Sequence, residues 1–458
     1  MKRIWLQFFV NNGKFKISIV EALTQAGVDI YELDPDVPSS PGIVFFSEVT
    51  QQLCNFIRDV SRSGHEWVLA VAISDCLPGT YAWHLLNAGA ADLIVWKDLT
   101  RSIHEVVMKI ERWNTIAQLV NSPLVRNNLV GESFVWKSLI RMIVEVARFT
   151  NANILIVGET GTGKELVARL IHALDTRPDK KNLVILDCTT IVPGLSGSEF
   201  FGHERGAFTG AVASRDGAFA LANGGTLFLD EVGELHVDLQ AQLLRVIEEH
   251  TYKRIGGNTW DKTNFRLVCA TNKDLLQEVT QRRFRSDLYY RIASWICKMP
   301  PLRERIEDIL LLTYHFIKQL WPHGDPPEID EPVRQYLIKR HYPGNIRDLR
   351  QLVSRIIYRY VGSGSITVGC IPRDEHPLLE SASEWYDESF YRSIYRALTL
   401  GMNLKEIRRI AEDTAIRIIV NEEKGNLQRA AHRLGITDRA LQLRRAAKRR
   451  KLQSSNTK

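Results

Sequence analysis

Residues 153–174 read NILIVGETGTGKELVARLIHAL, an apolar run that breaks into a glycine-rich turn and resumes as a helical pattern. The turn, Gly158-Glu159-Thr160-Gly161-Thr162-Gly163-Lys164, has the strand, loop and helix setting that a P-loop requires. Its glycines let backbone N–H groups wrap phosphates, and the helix N-terminus adds partial positive charge. Lys164 can then bridge the β and γ oxygens of a nucleoside triphosphate. Glu165 follows the lysine where a serine or threonine commonly touches magnesium, so the metal falls chiefly to a second acidic motif and water. GGTLFLDE, residues 224–231, supplies one at the end of an apolar strand. Asp230 can organise Mg²⁺ there, and Glu231 can polarise an attacking water.

Outward from this unit the chain changes character in both directions. Upstream, IWLQFFV, KISIVEALTQAG, VDIYEL, GIVFFSE, QQLCNFIRDVSRSG, WVLAVAIS, TYAWHLLNAGA and DLIVWK alternate short apolar strands with amphipathic helices, a doubly wound parallel α/β pattern. A long helix around Ile103 to Val120 leads into Asn121-Ser122-Pro123, and the second α/β unit begins near Leu129. The expected organisation is 1–120, a linker at 121–128, an ATPase α/β region at 129–310, a helical lid at 311–368, a linker at 369–410 and a C-terminal module at 411–458. GCIPRDEHPLLESASEWYDES, acidic and irregular, motivates the second linker.

The net charge of +7 is unevenly placed: residues 424–458 carry eleven Lys/Arg against one acid, Asp438. A terminal module meeting an anionic polymer is expected, against the plainer reading of a solvated basic tail. The six cysteines are scattered without CxxC pairs, so neither a disulfide framework nor a zinc site is expected. No stretch approaches the ~20 apolar residues of a membrane span. A cytoplasmic location follows as the expectation.

Two resemblances add to this reading. The order of the N-terminal elements and the ending NAGAADLIVWK resemble a response-regulator receiver domain, with Lys97 and Ser74 at its phosphate-contacting lysine and hydroxyl positions. The receiver's acceptor carboxylate is absent: the third strand ends Phe45-Phe46-Ser47 and the first runs into Val10-Asn11-Asn12. A pseudo-receiver is therefore expected, with plain structural roles for Lys97 and Ser74.

The second resemblance rests on Phe201-Gly202-His203-Glu204-Arg205-Gly206-Ala207-Phe208-Thr209-Gly210-Ala211. GAFTGA is the signature insertion of sigma-54-dependent activators, the bacterial enhancer-binding proteins of the AAA+ class. Similarity to that family runs from roughly Val130 to Tyr360. It implies a loop whose tip, Phe208 and Thr209, touches sigma-54. It also implies a sensor I at Thr271 and Asn272 in VCATNKDL, arginine fingers Arg285 and Arg291 in FRSDLYYR, and a sensor II at Arg347 in YPGNIRDL. Fingers acting on a neighbouring subunit imply a ring, hexameric by resemblance.

LVILDCTTI departs from the family, with Asp187 where an asparagine usually restrains the catalytic glutamate. Repulsion between Asp187 and Glu231, and altered coupling, are expected. The last segment, EEKGNLQRAAHRLGITDRALQLRRAAKRRKL, resembles a Fis-type helix-turn-helix, with Ala430, Ala431, Leu434, Ile436 and Leu441 as its core. Arg439, Gln442, Arg444, Arg445 and Lys448 are its candidate DNA contacts.

Some relatives with degenerate receivers bind cyclic di-GMP near the junction that follows. Arg126, in LVRNNLVG, and Arg169 stand at similar positions, and Leu170 departs from that pattern. The reading is thus an ATP- and Mg²⁺-dependent activator that holds DNA and remodels sigma-54 RNA polymerase. Two alternatives are a ligand-gated, cyclic di-GMP-responsive DNA-binding regulator with a weak or decayed ATPase, and a AAA+ chaperone unrelated to transcription.

Overall fold

The N-terminal apolar runs form five parallel strands, β1 (Lys2–Phe9), β2 (Val28–Tyr31), β3 (Gly42–Phe46), β4 (Val68–Ala72) and β5 (Asp92–Val95), in the order β2-β1-β3-β4-β5. Helices α1 (Gly13–Gln25), α2 (Gln51–Val60), α3 (Gly79–Asn87) and α4 (Leu99–Val120) complete the doubly wound layer. GIVFF and VLAVA are buried along their whole length, as parallel strands covered on both faces must be. The Thr50 hydroxyl accepts from Leu53 N at 3.2 Å and the Asp98 carboxylate from Arg101 N at 2.8 Å, which starts α2 and α4 where those side chains stand. The structure, a computed structural model, describes residues 2–10, 13–33, 41–62, 66–73, 77–178, 180–190, 196–321, 324–362, 364–376, 388–423, 426–437, 439 and 441. Ser74 lies outside them.

Residues 121–128 differ from the expected linker. Pro123 opens α5 (Pro123–Arg126), a single turn whose Val125 is buried, together with Leu129 and Ile116, in one core with α6 (Phe134–Phe149). Apolar side chains at Ile116, Val125 and Leu129 make this stretch a packing element instead of a spacer. Arg112 on α4 pairs with Glu145 on α6 at 2.7 Å, and the Arg141 guanidinium lies 5.5 Å from the Trp67 ring.

The second parallel sheet follows the order β14-β6-β13-β10-β7. Its elements are β6 (Ile154–Val157), α7 (Lys164–Leu174), β7 (Leu183–Asp187), α8 (Ser196–Phe201), β8 (Gly202–His203), β9 (Arg215–Asp216), α9 (Ala218–Leu221), β10 (Thr226–Asp230), α10 (Val237–Glu249), β11 (Thr251–Tyr252), β12 (Asp261–Lys262), β13 (Arg266–Thr271), α11 (Leu275–Thr280), α12 (Ser286–Ile292) and β14 (Trp295–Lys298). Two short antiparallel hairpins, β8 with β9 and β11 with β12, stand outside the main sheet.

A helical lid of α13 (Asp308–Leu320), α14 (Glu331–Lys339) and α15 (Asn345–Arg359) follows, with its own core around Leu312, Val333, Leu349 and Ile356. Its base is locked to the α/β layer by a fully buried ion pair, Arg305 Nε to Asp308 at 2.8 Å. The Asp308 carboxylate also accepts from Glu132 N, Ser133 N and the Ser133 hydroxyl, while Arg305 reaches the Val130 carbonyl and lies 3.8 Å over the Trp136 ring.

The chain divides into two units, 1–373 and 374–458. In the second, α16 (Glu388–Thr399) and the start of α17 (Leu404–Glu422) occupy part of the stretch expected as linker. The amphipathic spacing of Tyr391, Tyr395 and Leu398 outweighs the irregular composition just before it. An Asn403–Glu406 capping box starts α17. Helix α18 (Leu427–Arg433) packs Ala430 and Ala431 with Leu441 against Ile416, Ile419 and Val420. Among the described residues no helix is long and apolar enough to cross a membrane.

Candidate active site

The glycine turn connects β6 to α7. Gly161 and Gly163 take left-handed φ angles of 80° and 97°. At Gly161 a Cβ would stand 2.1 Å from the Gly344 carbonyl of the lid, so the loop and the lid touch backbone to backbone. Ile346 N and Arg347 N donate to the Gly161 carbonyl at 3.0 and 3.3 Å, which sets the exposed Arg347 beside the loop.

Lys164 is buried and donates to the Gly158 carbonyl at 3.0 Å and to Glu231 Oε1 at 3.1 Å. The other Glu231 oxygen accepts from Asn272 N at 2.9 Å, and the Asn272 amide reaches the Thr160 hydroxyl at 3.4 Å. Thr271, fully buried, ends β13 and accepts from Lys273 N. The glutamate is therefore clamped between a cation and a backbone donor. Its own backbone is left-handed, φ 50°, a conformation that costs a non-glycine residue about 1–3 kcal/mol and that marks functional sites.

Asp230 precedes it at the end of β10. Burial, and then the neighbouring Glu231, push its carboxyl above the ordinary range, with Lys164 pulling the other way. Asp187 is its register partner on β7 and adds a further upward push.

The Asp187 carboxylate turns to Thr189, accepting from its N at 2.9 Å and its hydroxyl at 2.7 Å. Its like charge acts on Asp230, and Lys164 and Asn272 N donate to Glu231. Glu165 points along its own helix, accepting from Arg169 at 2.8 Å.

Three residues that sequence reading passed over complete the arrangement. Arg303 forms a two-pronged pair with Glu159, at 2.7 and 2.9 Å, and Asn345 donates to Glu159 and to the Thr160 carbonyl, each at 3.1 Å. These bonds, Arg303 foremost, hold the Glu159 carboxyl below its usual range. Gln240, fully buried, spans the Leu235 and Arg283 carbonyls and accepts from Arg285 N, which fixes the turn before α12.

Arg285 and Arg291 are not brought to this pocket. Arg285 pairs with Asp287 at 2.7 Å on the surface, and the Arg291 carbonyl accepts from the Asn153 amide at 3.0 Å. Asn153 precedes β6 at its N-terminal end, whereas the glycine turn leaves the C-terminal end. At ~3.3 Å per strand residue the two ends lie roughly 16 Å apart.

Gly206 to Ala211 form the tip of the β8–β9 hairpin, closed by Gly206 N to the Ala211 carbonyl at 2.9 Å and Ala211 N to the Phe208 carbonyl at 3.0 Å. Ala207 is half-buried and Ala211 buried, while Thr209 and Gly210 are exposed. Phe208, also exposed, sets its ring edge-on to His203 at 5.0 Å. Arg254, from the second hairpin, pairs with Asp216 at 2.8 Å, Asp261 at 3.3 Å and Glu204 at 3.7 Å, which ties the two hairpins together.

Arg126 donates to the Asn121 side chain at 2.6 Å and lines a cavity that does not include Arg169. The structure thus does not bring these two arginines into one pocket. In the second unit Arg439 is exposed, and Gln442, Arg444, Arg445 and Lys448 lie outside the described residues.

A P-loop on a five-stranded parallel sheet, acidic residues at the end of β10, one strand removed from the P-loop strand β6, and a helical lid whose backbone touches the loop define a AAA+ ATPase. Residues 129–297 match the family of the Sigma-54 interaction domain and residues 303–382 that of the AAA+ ATPase lid domain. Regulatory protein AtoC of Escherichia coli is 34% identical over 94% of this chain and 90% of its own length. Transcriptional regulatory protein ZraR of Salmonella typhimurium is 36% identical over 78% of this chain and 77% of its own length. DNA-binding transcriptional activator HyfR of Escherichia coli is 41% identical over 57% of this chain, which spans only 39% of HyfR. The chain belongs to the family of sigma-54-dependent transcriptional activators. These matches do not support the alternative of a DNA-binding regulator without an ATPase.

Proposed function

We propose that this chain binds upstream DNA and uses ATP hydrolysis, within a ring of identical subunits, to remodel sigma-54 RNA polymerase so that a promoter opens. The observation that carries the reading is the pairing of the Lys164–Glu231–Asn272 cluster with the exposed Phe208–Thr209 hairpin tip in one α/β layer. Residues 1–120 serve as a pseudo-receiver, 129–310 as the motor, 311–368 as its lid and 411–458 as the DNA-binding module. The chain works in the cytoplasm, and the ring is a hexamer.

When ATP binds, its phosphates draw Lys164 away from Glu231. The glutamate then holds a water for attack on the γ-phosphate. Among the described residues no three acidic or histidine side chains gather as a ready-made metal site; Asp230 would hold Mg²⁺ together with water and the phosphate oxygens, with Glu165 turned away along its own helix. The cation supplies charge neutralisation at the phosphates.

Gly158 to Gly163 wrap the phosphates, Asn272 senses the γ position and Arg347 reports it to the lid. Arg285 and Arg291 act on the neighbouring subunit's nucleotide, which the distance of Arg291 from its own P-loop supports. Gly206 to Ala211 touch sigma-54. Arg439, Gln442, Arg444, Arg445 and Lys448 meet DNA. Cyclic di-GMP bridged by Arg126 and Arg169 is the weaker reading of the input, because those side chains do not share a cavity.

The test is transcription in vitro with sigma-54 polymerase, with ATP or a non-hydrolysable analogue. Open complexes are expected with ATP alone. Equal activity with both nucleotides overturns the proposal.

A further inference from the structure

We propose that Arg303 and Asn345 are positioning residues for the nucleotide, acting through the Glu159 carboxylate: they neutralise the one acid of the glycine turn and so tie phosphate affinity to the seating of the lid. A turn that wraps phosphates is an unfavourable place for a negative charge, and Glu159 stands inside it, between Gly158 and Thr160. Its donors hold the carboxyl below the usual range, so it is ionised at neutral pH. Left unpaired, that charge opposes the polyanion which Lys164 and the backbone N–H groups attract. Salt screens such repulsion over about 10 Å at 0.1 M, a reach longer than one glutamate side chain.

The neutralising groups come from both ends of the lid. Arg303 sits in the short turn Leu302–Glu304, which leads from β14 towards α13, and its two prongs meet the two Glu159 oxygens at 2.7 and 2.9 Å. This fork-to-fork geometry is the strong form of an arginine–carboxylate pair. Asn345 opens α15 and is buried. Its amide donates to Glu159 Oε2 and to the Thr160 carbonyl, each at 3.1 Å, and its Oδ1 accepts from Leu302 N at 2.8 Å. One side chain therefore joins the nucleotide turn, the approach to the lid and the lid helix α15. Its backbone takes a left-handed φ of 52°, a conformation that asparagine tolerates better than most residues.

The same carboxylate thus has two effects. With the lid seated it is an anchor whose charge is spent on Arg303 and Asn345. Once the lid swings away it loses those donors, and its repulsion falls on the phosphates in the turn. A triphosphate carries more charge than a diphosphate and feels the change more. Lid motion and nucleotide release are in this way one event, with Glu159 as the link.

The test is calorimetric titration of the full chain with ADP and with a non-hydrolysable ATP analogue, at low and at high salt. Wild type should bind both; binding of neither would overturn the nucleotide reading of the turn, on which this inference rests. Arg303 is exposed, so its replacement leaves the fold intact. Arg303→Gln should weaken the ATP analogue about fivefold or more and ADP by less, and high salt should shrink the loss. Adding Glu159→Gln to that variant should bring the analogue back to within about threefold of wild type, since no charge is then left to neutralise. A purely structural role gives the reverse, because the second substitution disturbs a further partner of Asn345. Unaltered affinity in Arg303→Gln, or a double variant that binds no more tightly than the single one, overturns the inference.

Discussion

Asp230 carries the most consequential local electrostatics. Burial and Glu231 raise its proton affinity above that of an unfolded aspartate, so its contribution to stability is present at low pH and is lost as pH rises through the raised value. Asp230→Asn should therefore stabilise the nucleotide-free protein at neutral pH while removing Mg²⁺-dependent hydrolysis. Melting curves between pH 4 and 8 check this, and a variant less stable than wild type at pH 8 would contradict it. Asp187→Asn relieves the same crowding, so hydrolysis should change rate; a turnover equal to wild type rejects any role for Asp187 in coupling. The glycine turn and the acidic strand end were readable because glycine spacing and a strand end are local patterns. Arg303, Asn345 and Gln240 were not, because Glu159, which the first two hold, and Arg283, which Gln240 holds, lie 43 or more positions away along the chain. Nothing near Glu159 in sequence announces the lid residues that hold it.

At the scale of elements, the lid is anchored through Arg305 and Asp308. Burial alone would raise the Asp308 carboxyl, but donors from Ser133 and Glu132, with Arg305, hold it below the usual range. Its stabilising effect is present above the unfolded value and lost as pH falls through the depressed one. Asp308→Ala strands a buried guanidinium and should cost about 3–5 kcal/mol, read by urea denaturation. A loss under 1 kcal/mol would contradict the buried-pair account. The hairpin tip makes a different demand: Thr209→Ala should leave ATP turnover within about twofold of wild type, in line with an exposed substitution, and abolish promoter opening. Both strands of this hairpin are only two residues long, and the sequence marks them by the motif between them, not by any strand pattern. The turn at 123–126 escaped notice for a related reason, since four residues are too few to show helical periodicity.

For the whole molecule, the proposed exchange of arginines between subunits yields a mixing experiment. Arg291→Ala keeps its own pocket but lacks a finger, and Lys164→Ala keeps the finger but lacks a pocket. Each alone should lose about 10³-fold or more in turnover, and equimolar mixtures should recover a measurable fraction of it. No recovery would mean that each subunit serves itself. The broad architecture was legible because two β/α series, one of them with a P-loop, leave few alternatives. The packing of 121–128 into the motor was not, because it depends on which apolar faces meet. Strand β6 has one further consequence. With the nucleotide turn at one pole and the finger at the other, the surface that gives differs from the surface that receives. A two-fold pair, in which like faces meet like, cannot complete either catalytic centre. The proposed exchange of arginines therefore requires an assembly that grows head to tail and stops only where rotation about a closed axis brings the last copy back to the first.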